Sequence, residues 1–392
     1  MPTDVENVDI AIIGGGIAGL WNYILLSQQG YKVVLIENNT LGSGQTIASQ
    51  GIIHSGIKYS LNANLSNATI SIKDMPNLWR QCLNGSGLID LSQTKVNSTE
   101  HWLWPYKSIS AKLTSFFAGH AMLSKVNRKP APSWFKEIST VNEVYSLDEI
   151  VLDIPSLLTN MQNLHPDNII KCNDVILNKT NNGSVENITI SIDKTKVCFK
   201  ALHYVFTAGP SNTMFFGGKS KDHLSQQRPL HMLWLKANNL PKLFGHVIAG
   251  LSSKPILTIT SHVCQTSNKD IWYIGGNLAE TGADKNEKVL IDSLQQLLSE
   301  IFPNLILDAP EYGNFRISRT EGRQANGNRP NSFVINNQHN YSLLWPTKLA
   351  LAPLSALAIQ EYLDSKITKS PANTLSKKYP HPVIAAPPWE TK

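Results

Sequence analysis

The chain has 392 residues, 42% of them hydrophobic and 16% charged, which is the composition of a globular enzyme with room for two domains or one large discontinuous domain. Its four cysteines are scattered without CxxC spacing, so the sequence suggests neither a zinc site nor a disulfide framework. The net charge of +6 suits an anionic substrate, an anionic lipid surface or RNA, but no run of five basic residues points to one of them.

The chain begins with MPTDVENVDI, which carries acids rather than a basic stretch, and three glycines interrupt the apolar run that follows. This pattern argues against a secretory signal. No window offers the 18 uninterrupted apolar residues of a spanning helix. We therefore expect a cytoplasmic protein whose membrane contact, if any, is peripheral and at the inner face.

A strand, a glycine turn, a helix and a second strand are predicted between Val8 and Glu37, which is the size of a βαβ unit. Gly14, Gly16 and Gly19 occupy the GxGxxG positions for the turn, the approach of a pyrophosphate and the packing of helix on strand. Glu37 ends the second strand, where a carboxylate accepts hydrogen bonds from a ribose. The unit predicts nucleotide binding without separating FAD from NAD.

The next segment, LGSGQTIASQGIIHSGIKY, mixes glycines with polar and apolar residues. It resembles the second flavin-contacting segment of the D-amino-acid oxidase superfamily, in which a strand follows beneath the isoalloxazine. Within that superfamily, GIIHSGIKY is most similar to the flavin-dependent glycerol-3-phosphate dehydrogenases and to the L-2-hydroxyglutarate dehydrogenases and oxidases. The glycines would allow the backbone to approach a flat cofactor closely.

The resemblance continues along the chain in EVYSLDEIVLDIPSLLTNMQ, ALHYVFTAGPSN, RPLHMLWL and LLWPTKLALAP. It implies FAD as the cofactor. The residues that it implies in cofactor binding are Gly14, Gly16, Gly19, Glu37, Ser43, Thr46, Ala48, Ser49, Gln50, Gly51, Val175, Ala208, Gly209, Lys348 and Leu349.

The order of these segments predicts an α/β fold with a discontinuous Rossmann-like FAD-binding domain at residues 1–90, 141–221 and 311–370. A second, largely antiparallel α+β substrate domain is expected at residues 91–140 and 222–310, with an amphipathic helix in EKVLIDSLQQLLSEIF packed on its sheet. The proline-rich residues 371–392 are expected to form an extended tail on the surface or against a partner.

Three candidate catalytic residues follow from the same resemblance. His54 belongs to the segment beside the flavin, and His231 lies in the strand that carries a substrate-facing histidine in glycerol-3-phosphate dehydrogenases. An imidazole can take a hydroxyl proton near neutral pH, although either histidine can equally be structural. Lys348 resembles the lysine of the flavin-capping loop, where a cation stabilises the reduced ring or a substrate anion.

Four residues are candidates for substrate binding: Lys58, Tyr59, Arg319 and Arg329. Guanidinium groups are natural clamps for carboxylate or phosphate. Lys58 stands where glycerol-3-phosphate dehydrogenases usually carry an arginine, which weakens the case for a phosphate substrate. No metal site is predicted.

We therefore expect an FAD-dependent oxidoreductase that oxidises a CH–OH or CH–NH group of a small anionic substrate by hydride transfer to flavin. A 2-hydroxy acid is preferred and glycerol 3-phosphate comes second. The electron acceptor is a quinone, another carrier or dioxygen. The alternatives are an amine-oxidising enzyme acting on an amino acid or a modified tRNA nucleoside, and a non-catalytic flavoprotein that serves as an interaction module.

Overall fold

The protein is represented by a computed structural model, which describes residues 4–55, 74–106, 127–216, 224–249, 254–370 and 375–390. Within these ranges the strands, in chain order, are β1 (Asp4–Ile13), β2 (Val33–Glu37), β3 (Ile52–Ile53), β4 (Val96–Ser98), β5 (His101–Pro105), β6 (Asn127–Pro130), β7 (Glu143–Leu147), β8 (Ile150–Leu152), β9 (Ile169–Lys171), β10 (Asp174–Lys179), β11 (Val185–Ile192), β12 (Thr195–Phe206), β13 (Ser225–Ala237), β14 (Gly245–Ile248), β15 (Leu257–Val263), β16 (Asp270–Gly275), β17 (Glu311–Gly322), β18 (Val334–Gln338) and β19 (Tyr341–Trp345).

The described helices, in chain order, are α1 (Ile17–Gln28), α2 (Met75–Leu83), α3 (Ser133–Ile138), α4 (Ile154–Leu164), α5 (Ser211–Phe216), α6 (Asn277–Thr281), α7 (Glu287–Ile301) and α8 (Ala352–Asp364). A 3₁₀ turn, Leu349–Leu351, leads into α8. The described ranges contain no helix that is both long enough and apolar enough to cross a membrane.

The first sheet has the order β10-β11-β12-β1-β2-β9, with β19 beside β12 and β18 beside β19. The strands around β1 are parallel and carry nearly continuous apolar sequence, because α1 and α8 cover one face and a second buried cluster covers the other. Since β2 lies on one side of β1 and β12 on the other, the strand order reverses there. The carboxyl ends of β1 and β12 therefore open the crevice in which α/β sheets bind ligands.

The second sheet has the order β17-β13-β16-β15-β14-β5-β7-β6 and is antiparallel except between β14 and β5. Helix α7 packs on it through Leu290, Leu294, Leu298 and Ile301, as its amphipathic pattern predicts. The two sheets together confirm the predicted mixed α/β class.

The sheets divide the chain differently from the predicted domain boundaries at two strands. β7 pairs with β5 and β6, and β17 pairs with β13 from Ser225↔Gly322 to Lys236↔Glu311. Both strands therefore belong to the second sheet, although the predicted boundaries put them in the FAD-binding domain. The reason is that each strand is adjacent in sequence to a flavin-domain motif but finds its hydrogen-bond partners in the other sheet.

A small third sheet, β3-β8-β4, lies beside the first two. In the described part of GIIHSGIKY, residues 51–55, the strand comprises Ile52–Ile53, which pairs with Ile150 and Val151. Lys58 and Tyr59 lie outside the described residues.

The tail contacts the chain itself rather than standing apart from it. Leu41 exchanges backbone hydrogen bonds with Val383 and Ala385 on the first-sheet side. On the second-sheet side, Trp389 is buried and its ring centroid lies 5.1 Å from that of Tyr273. Residues 375–390 therefore connect the two sheets.

Candidate active site

The glycine turn between β1 and α1 is close-packed on one side and open on the other. A Cβ at Gly19 would lie 1.9 Å from Gly14 O, and one at Gly14, where φ is +107°, would lie 2.7 Å from the backbone of Ala208. A Cβ at Gly16 would meet only Thr46 Oγ1, at 3.3 Å. Space therefore remains in front of the N-terminus of α1, where free N–H groups and the helix dipole favour phosphate.

Glu37 lies at the end of β2 beside this turn and is buried. Its carboxylate accepts hydrogen bonds from Gly15 N and Asn39 N, each at 2.6 Å. Burial raises the pKa of the Glu37 carboxyl, while these N–H groups act in the opposite direction. Because an ionised carboxylate accepts about four hydrogen bonds, Glu37 retains capacity for ribose hydroxyl groups.

A cavity of about 1170 Å³ extends from the glycine turn to the second sheet. Residues of β13, β17 and the loop after β19 complete its wall. Gly19 is absent from the lining because it packs against Gly14. The other predicted cofactor residues all line the cavity: Gly14, Gly16, Glu37, Ser43, Thr46, Ala48, Ser49, Gln50, Gly51, Val175, Ala208, Gly209, Lys348 and Leu349.

The loop after β2 is tied to the second sheet across this cavity. Gln50 Nε2 donates to Thr258 O and to Tyr273 O, both at 3.0 Å, and Tyr273 Oη donates to Ala48 O at 2.7 Å. Gln45 Oε1 accepts from Thr320 N at 3.0 Å. These contacts hold the predicted flavin loop in one position relative to the substrate side.

Two features of the cavity wall fit a bound dinucleotide. Ser49 Oγ is buried and has no hydrogen-bond partner among the described residues. Thr347, in the loop before Lys348, has φ +64°, which is rare for a β-branched residue and recurs at ligand sites. The open side of Gly16, the unsatisfied hydroxyl of Ser49 and the strained backbone at Thr347 together fit a bound dinucleotide.

His54 lines the cavity and belongs to a buried polar cluster. Its Nδ1 lies 3.1 Å from Glu149 Oε2, and His246 Nε2 lies 3.5 Å from the same oxygen. Glu149 and His246 are fully buried, whereas the His54 side chain is 17% exposed. The ligand atoms of these three residues lie within 4.8 Å of one another, so they form one compact cluster.

His231 is placed away from the cavity. It is 1% exposed on β13, with Nε2 2.7 Å from Asn314 Oδ1 and Nδ1 3.3 Å from Gly282 O. Both ring nitrogens are therefore engaged by protein groups, and the residue is absent from the cavity lining. This is the arrangement of a core histidine and differs from the substrate-facing role that the family resemblance implies.

Arg319 lines the cavity and lies against a carboxylate. Its Nη2 donates to Glu280 Oε1 at 2.7 Å, and Lys254 Nζ contacts Glu280 Oε2 at 3.1 Å. Burial raises the pKa of the Glu280 carboxyl, but the hydrogen bonds and charges of Arg319 and Lys254 outweigh it, so the pKa is lowered and Glu280 is ionised. Arg319 Nε is buried without a hydrogen-bond partner among the described residues.

Arg329 lines the cavity beside another buried carboxylate. Its Nη2 donates to Thr347 O at 2.9 Å, and its Nε lies 3.6 Å from Glu321 Oε2. Arg228 is ion-paired with the other oxygen of Glu321. The cavity arginines are thus matched by acids instead of forming a purely positive patch.

The sequence reasoning missed Glu149, His246, Glu280 and Glu321. Each contacts a residue that is distant in the chain, although Glu321 also contacts nearby Arg329, and none belongs to a motif. For Glu149 and Glu321 the only available signal was an acid placed at a strand end, as in LDEI before β8 and RTEG at the end of β17. That signal is shared by many exposed carboxylates.

Comparison with known proteins gives a consistent result. The family model "DAO: FAD dependent oxidoreductase" matches residues 9–347. The chain is 34% identical over 389 residues, 98% of each protein, to the "Probable FAD-dependent oxidoreductase PA4991" of Pseudomonas aeruginosa. The crystal structure of that protein superimposes with a TM-score of 0.81, covering 100% of this chain and 99% of the other at 30% identity.

More distant similarities are partial in sequence or limited to fold. A "Glycerol 3-phosphate oxidase" of Mycoplasma genitalium is 37% identical over 76 residues, 18% of this chain and 20% of that protein. Glycine oxidase from Geobacillus kaustophilus has a TM-score of 0.65 at 14% identity, covering 96% of this chain and all of the other. The second similarity establishes a shared fold alone.

Proposed function

This chain belongs to the DAO family of FAD-dependent oxidoreductases, and from that premise we propose that it oxidises the CH–OH group of a small anionic substrate, with a 2-hydroxy acid preferred. The observation that carries the proposal is that His54 and Arg319 line the same cavity as the nucleotide turn. A candidate proton acceptor and a candidate anion-binding group that border one cavity support a substrate that carries both a hydroxyl group and an anion. The chemistry supplied by bound FAD is acceptance of the two electrons, as hydride, from the substrate carbon.

His54 is the proton acceptor in this proposal. Its Nδ1 faces Glu149, so Nε2 is the nitrogen that takes the hydroxyl proton of the substrate. His231 is set aside because Asn314 and Gly282 engage both of its ring nitrogens. Lys348 and Arg329 are assigned to binding and charge balance at the cavity wall. Lys58 and Tyr59 stay predictions from the sequence as substrate-binding residues.

The charge pattern favours a monoanion over a dianion. Arg319 and Lys254 share Glu280, and Arg228 and Arg329 share Glu321, so each carboxylate offsets one of two neighbouring cations. A phosphate dianion such as glycerol 3-phosphate, the substrate in the names of some relatives, would meet two carboxylates close to its binding groups. One carboxylate can instead engage the exposed part of the Arg319 side chain, which is 26% exposed beside Glu280.

Glu280 also supports a second candidate, an amine-oxidising activity on an amino acid. An ionised carboxylate 2.7 Å from the guanidinium of Arg319 presents both signs of charge, which suits the ammonium and carboxylate of a zwitterion. The Glu280→Gln variant separates the candidates. It should strengthen binding of a hydroxy acid by removing a repelling charge, and weaken binding of an amino acid by removing the ammonium partner.

The decisive experiment is anaerobic absorbance spectroscopy of the purified flavoprotein with L-2-hydroxyglutarate, L-lactate, glycerol 3-phosphate, sarcosine and glycine. Bleaching by a hydroxy acid is the expected result. Bleaching by an amine alone replaces the first candidate with the second. If no compound bleaches the flavin, the small-substrate proposal fails, and salt-dependent binding to tRNA then separates a nucleoside substrate from a non-catalytic interaction module.

The anion-binding role of Arg319 has its own test. Arg319→Ala should raise KM roughly 30-fold, because a charged hydrogen bond contributes about 2 kcal/mol, while flavin content stays constant. Arg128→Ala is the control, since it breaks a comparable arginine–glutamate pair on β6, which does not line the cavity. An unchanged KM in Arg319→Ala contradicts the assignment.

Electron acceptor and location complete the proposal. We place the enzyme in the cytoplasm, with cell fractionation as the check. Reoxidation of the substrate-reduced protein by dioxygen, by a soluble quinone analogue or only by a membrane fraction distinguishes the three classes of acceptor.

A further inference from the structure

A buried carboxylate lies directly behind the proposed proton acceptor. Glu149 is in the tight turn between β7 and β8, where its backbone N–H donates to Leu147 O at 2.8 Å. Its side chain is fully buried, and Oε2 lies 3.1 Å from His54 Nδ1. Burying an ionised carboxylate costs desolvation free energy unless hydrogen bonds and positive charge compensate it. An imidazole beside it can supply both.

The other groups around Glu149 come from three further elements. Ser55 donates to Oε1 from its backbone N at 3.2 Å and from Oγ at 3.4 Å. His246 on β14 brings Nε2 to 3.5 Å from Oε2, while its Nδ1 lies 2.8 Å from Thr258 Oγ1. The ring of His101 on β5 lies 4.2 Å from that of His246.

These contacts hold the Glu149 carboxylate in place, and its Oε2 remains close enough to His54 to stabilise a proton on that ring. The Ser55 donors fix Oε1, and Oε2 is shared by two imidazoles. Two neighbouring imidazolium ions would repel each other, so one carboxylate compensates one protonated ring at a time. Of the two rings, His54 alone lines the cavity and can exchange its proton with a ligand there.

We infer that Glu149 is the positioning residue of the active site: it holds His54 with Nδ1–H toward the carboxylate and Nε2 toward the substrate, and it stabilises the imidazolium that forms. The inference rests on the proposed role of His54 as proton acceptor. In that step the substrate O–H bond breaks and an N–H bond forms at His54 Nε2. Bound FAD, the oxidant of the proposed activity, would accept the C–H hydrogen with both electrons as hydride, and Glu149 would balance the positive charge on the ring.

The test is a histidine NMR titration of the purified flavoprotein, with the His54 signal assigned by its absence in His54→Asn. In the wild type, the His54 ring should titrate above the ordinary histidine midpoint of about 6.5. In Glu149→Gln, which keeps the shape and removes the charge, its midpoint should fall by at least one pH unit, a tenfold change in proton affinity. Glu6→Gln is the control, because Glu6 is also buried but bonds Ser376 and Tyr379 in the tail instead.

The activity readout uses the pH profile of kcat/KM with whichever substrate bleaches the flavin. Glu149→Gln should shift the acidic limb to lower pH and reduce the plateau 10-fold to 100-fold, and Glu149→Asp, which keeps the charge, should restore much of both. A loss of rate without a shift would indicate only a structural role for Glu149 and overturn the inference.

Failure of the inference and failure of the proposed function are distinguishable. An unchanged His54 midpoint in Glu149→Gln overturns the inference whatever the substrate is. If Glu149→Gln does not fold, a wild-type His54 midpoint at or below 6.5 overturns it instead. A shifted midpoint in a protein that no substrate reduces leaves the inference standing and rejects the proposed activity.

Discussion

The glycine turn and the His54 cluster border the same cavity but are assembled in different ways. The turn, its helix and Glu37 lie within one βαβ unit, and the fit depends on backbone atoms that approach without an intervening Cβ. The cluster combines side chains from β14, the β7–β8 turn and the segment after β3, and His101 of β5 packs against it. The first arrangement is encoded locally, whereas the second exists only when the second and third sheets are correctly placed relative to each other.

The largest expected effect is at Gly19, which tests the local arrangement. In Gly19→Ala the new Cβ would lie 1.9 Å from Gly14 O, and backbone must move to relieve the overlap. We expect a loss of stability above the ~3 kcal/mol typical of overpacking, together with loss of bound flavin. Chemical denaturation and the flavin-to-protein absorbance ratio measure the two effects.

Gly16→Ala is the matched control for this clash. Its Cβ would meet only Thr46 Oγ1 at 3.3 Å, so the fold should be retained. The methyl group would nevertheless occupy the space in which the pyrophosphate approaches the backbone, so flavin content should fall. Equal stability of the two variants would contradict the proposed division between packing and phosphate contact.

This contrast also explains what the sequence could predict. The spacing of Gly14, Gly16 and Gly19 before Glu37 predicts the nucleotide unit because all its parts are close in the chain. Residues 54 and 149 are 95 positions apart, and a lone acid before a strand carries no sign of its partner. The family resemblance singled out His54 and guanidinium chemistry singled out Arg319, but neither indicated Glu149 or Glu280, because partners of this kind are set by the register of distant strands.

The second prediction concerns the tail, whose position was not predictable from its proline-rich composition. Trp389 packs against Tyr273 and His262 with ring centroids 5.1 Å and 4.6 Å apart. Trp389→Ala should lower the free energy of unfolding by about 3 kcal/mol through the cavity that it leaves. The control is Val383→Ala in the same tail, because Val383 is 70% exposed and should change little. Equal denaturation midpoints for both variants would show that the tail does not stabilise the second sheet.

A smaller effect is expected when Glu37 is changed within the local unit. In Glu37→Gln one carboxylate oxygen becomes an NH₂ group that faces Gly15 N or Asn39 N, both of which are donors. Loss of the charged acceptor for ribose should cost about 2 kcal/mol, or roughly 30-fold in FAD affinity. Fluorescence titration of the flavin-free protein with FAD measures this loss of affinity. The control is Glu6→Gln, near the start of β1 and away from the glycine turn, which should keep its FAD affinity. Unaltered FAD affinity in Glu37→Gln would exclude the ribose contact.

The smallest expected effect is on the pH dependence of the free energy of unfolding, and it compares one buried histidine from the first sheet with one from the second. Burial lowers the pKa of His203 on β12 to about 4, and burial, with a further contribution from Lys95, lowers that of His262 on β15 to about 3. Unfolded histidines bind protons below about pH 6.5. Between that pH and the folded pKa values the unfolded chain therefore binds more protons, so stability is complete above pH 6.5 and decreases as the pH falls.

Each histidine should contribute a slope of up to about 1.4 kcal/mol per pH unit in that window. Urea denaturation at pH 7 and at pH 5.5 should show this loss in the wild type, and His203→Gln and His262→Gln should each flatten it by one histidine's share. The comparison distinguishes the two sheets. If only one of the two substitutions flattens the slope, acid first opens the sheet that contains the substituted residue. A slope equal to that of the wild type in both variants would mean that neither ring resists protonation in the folded protein.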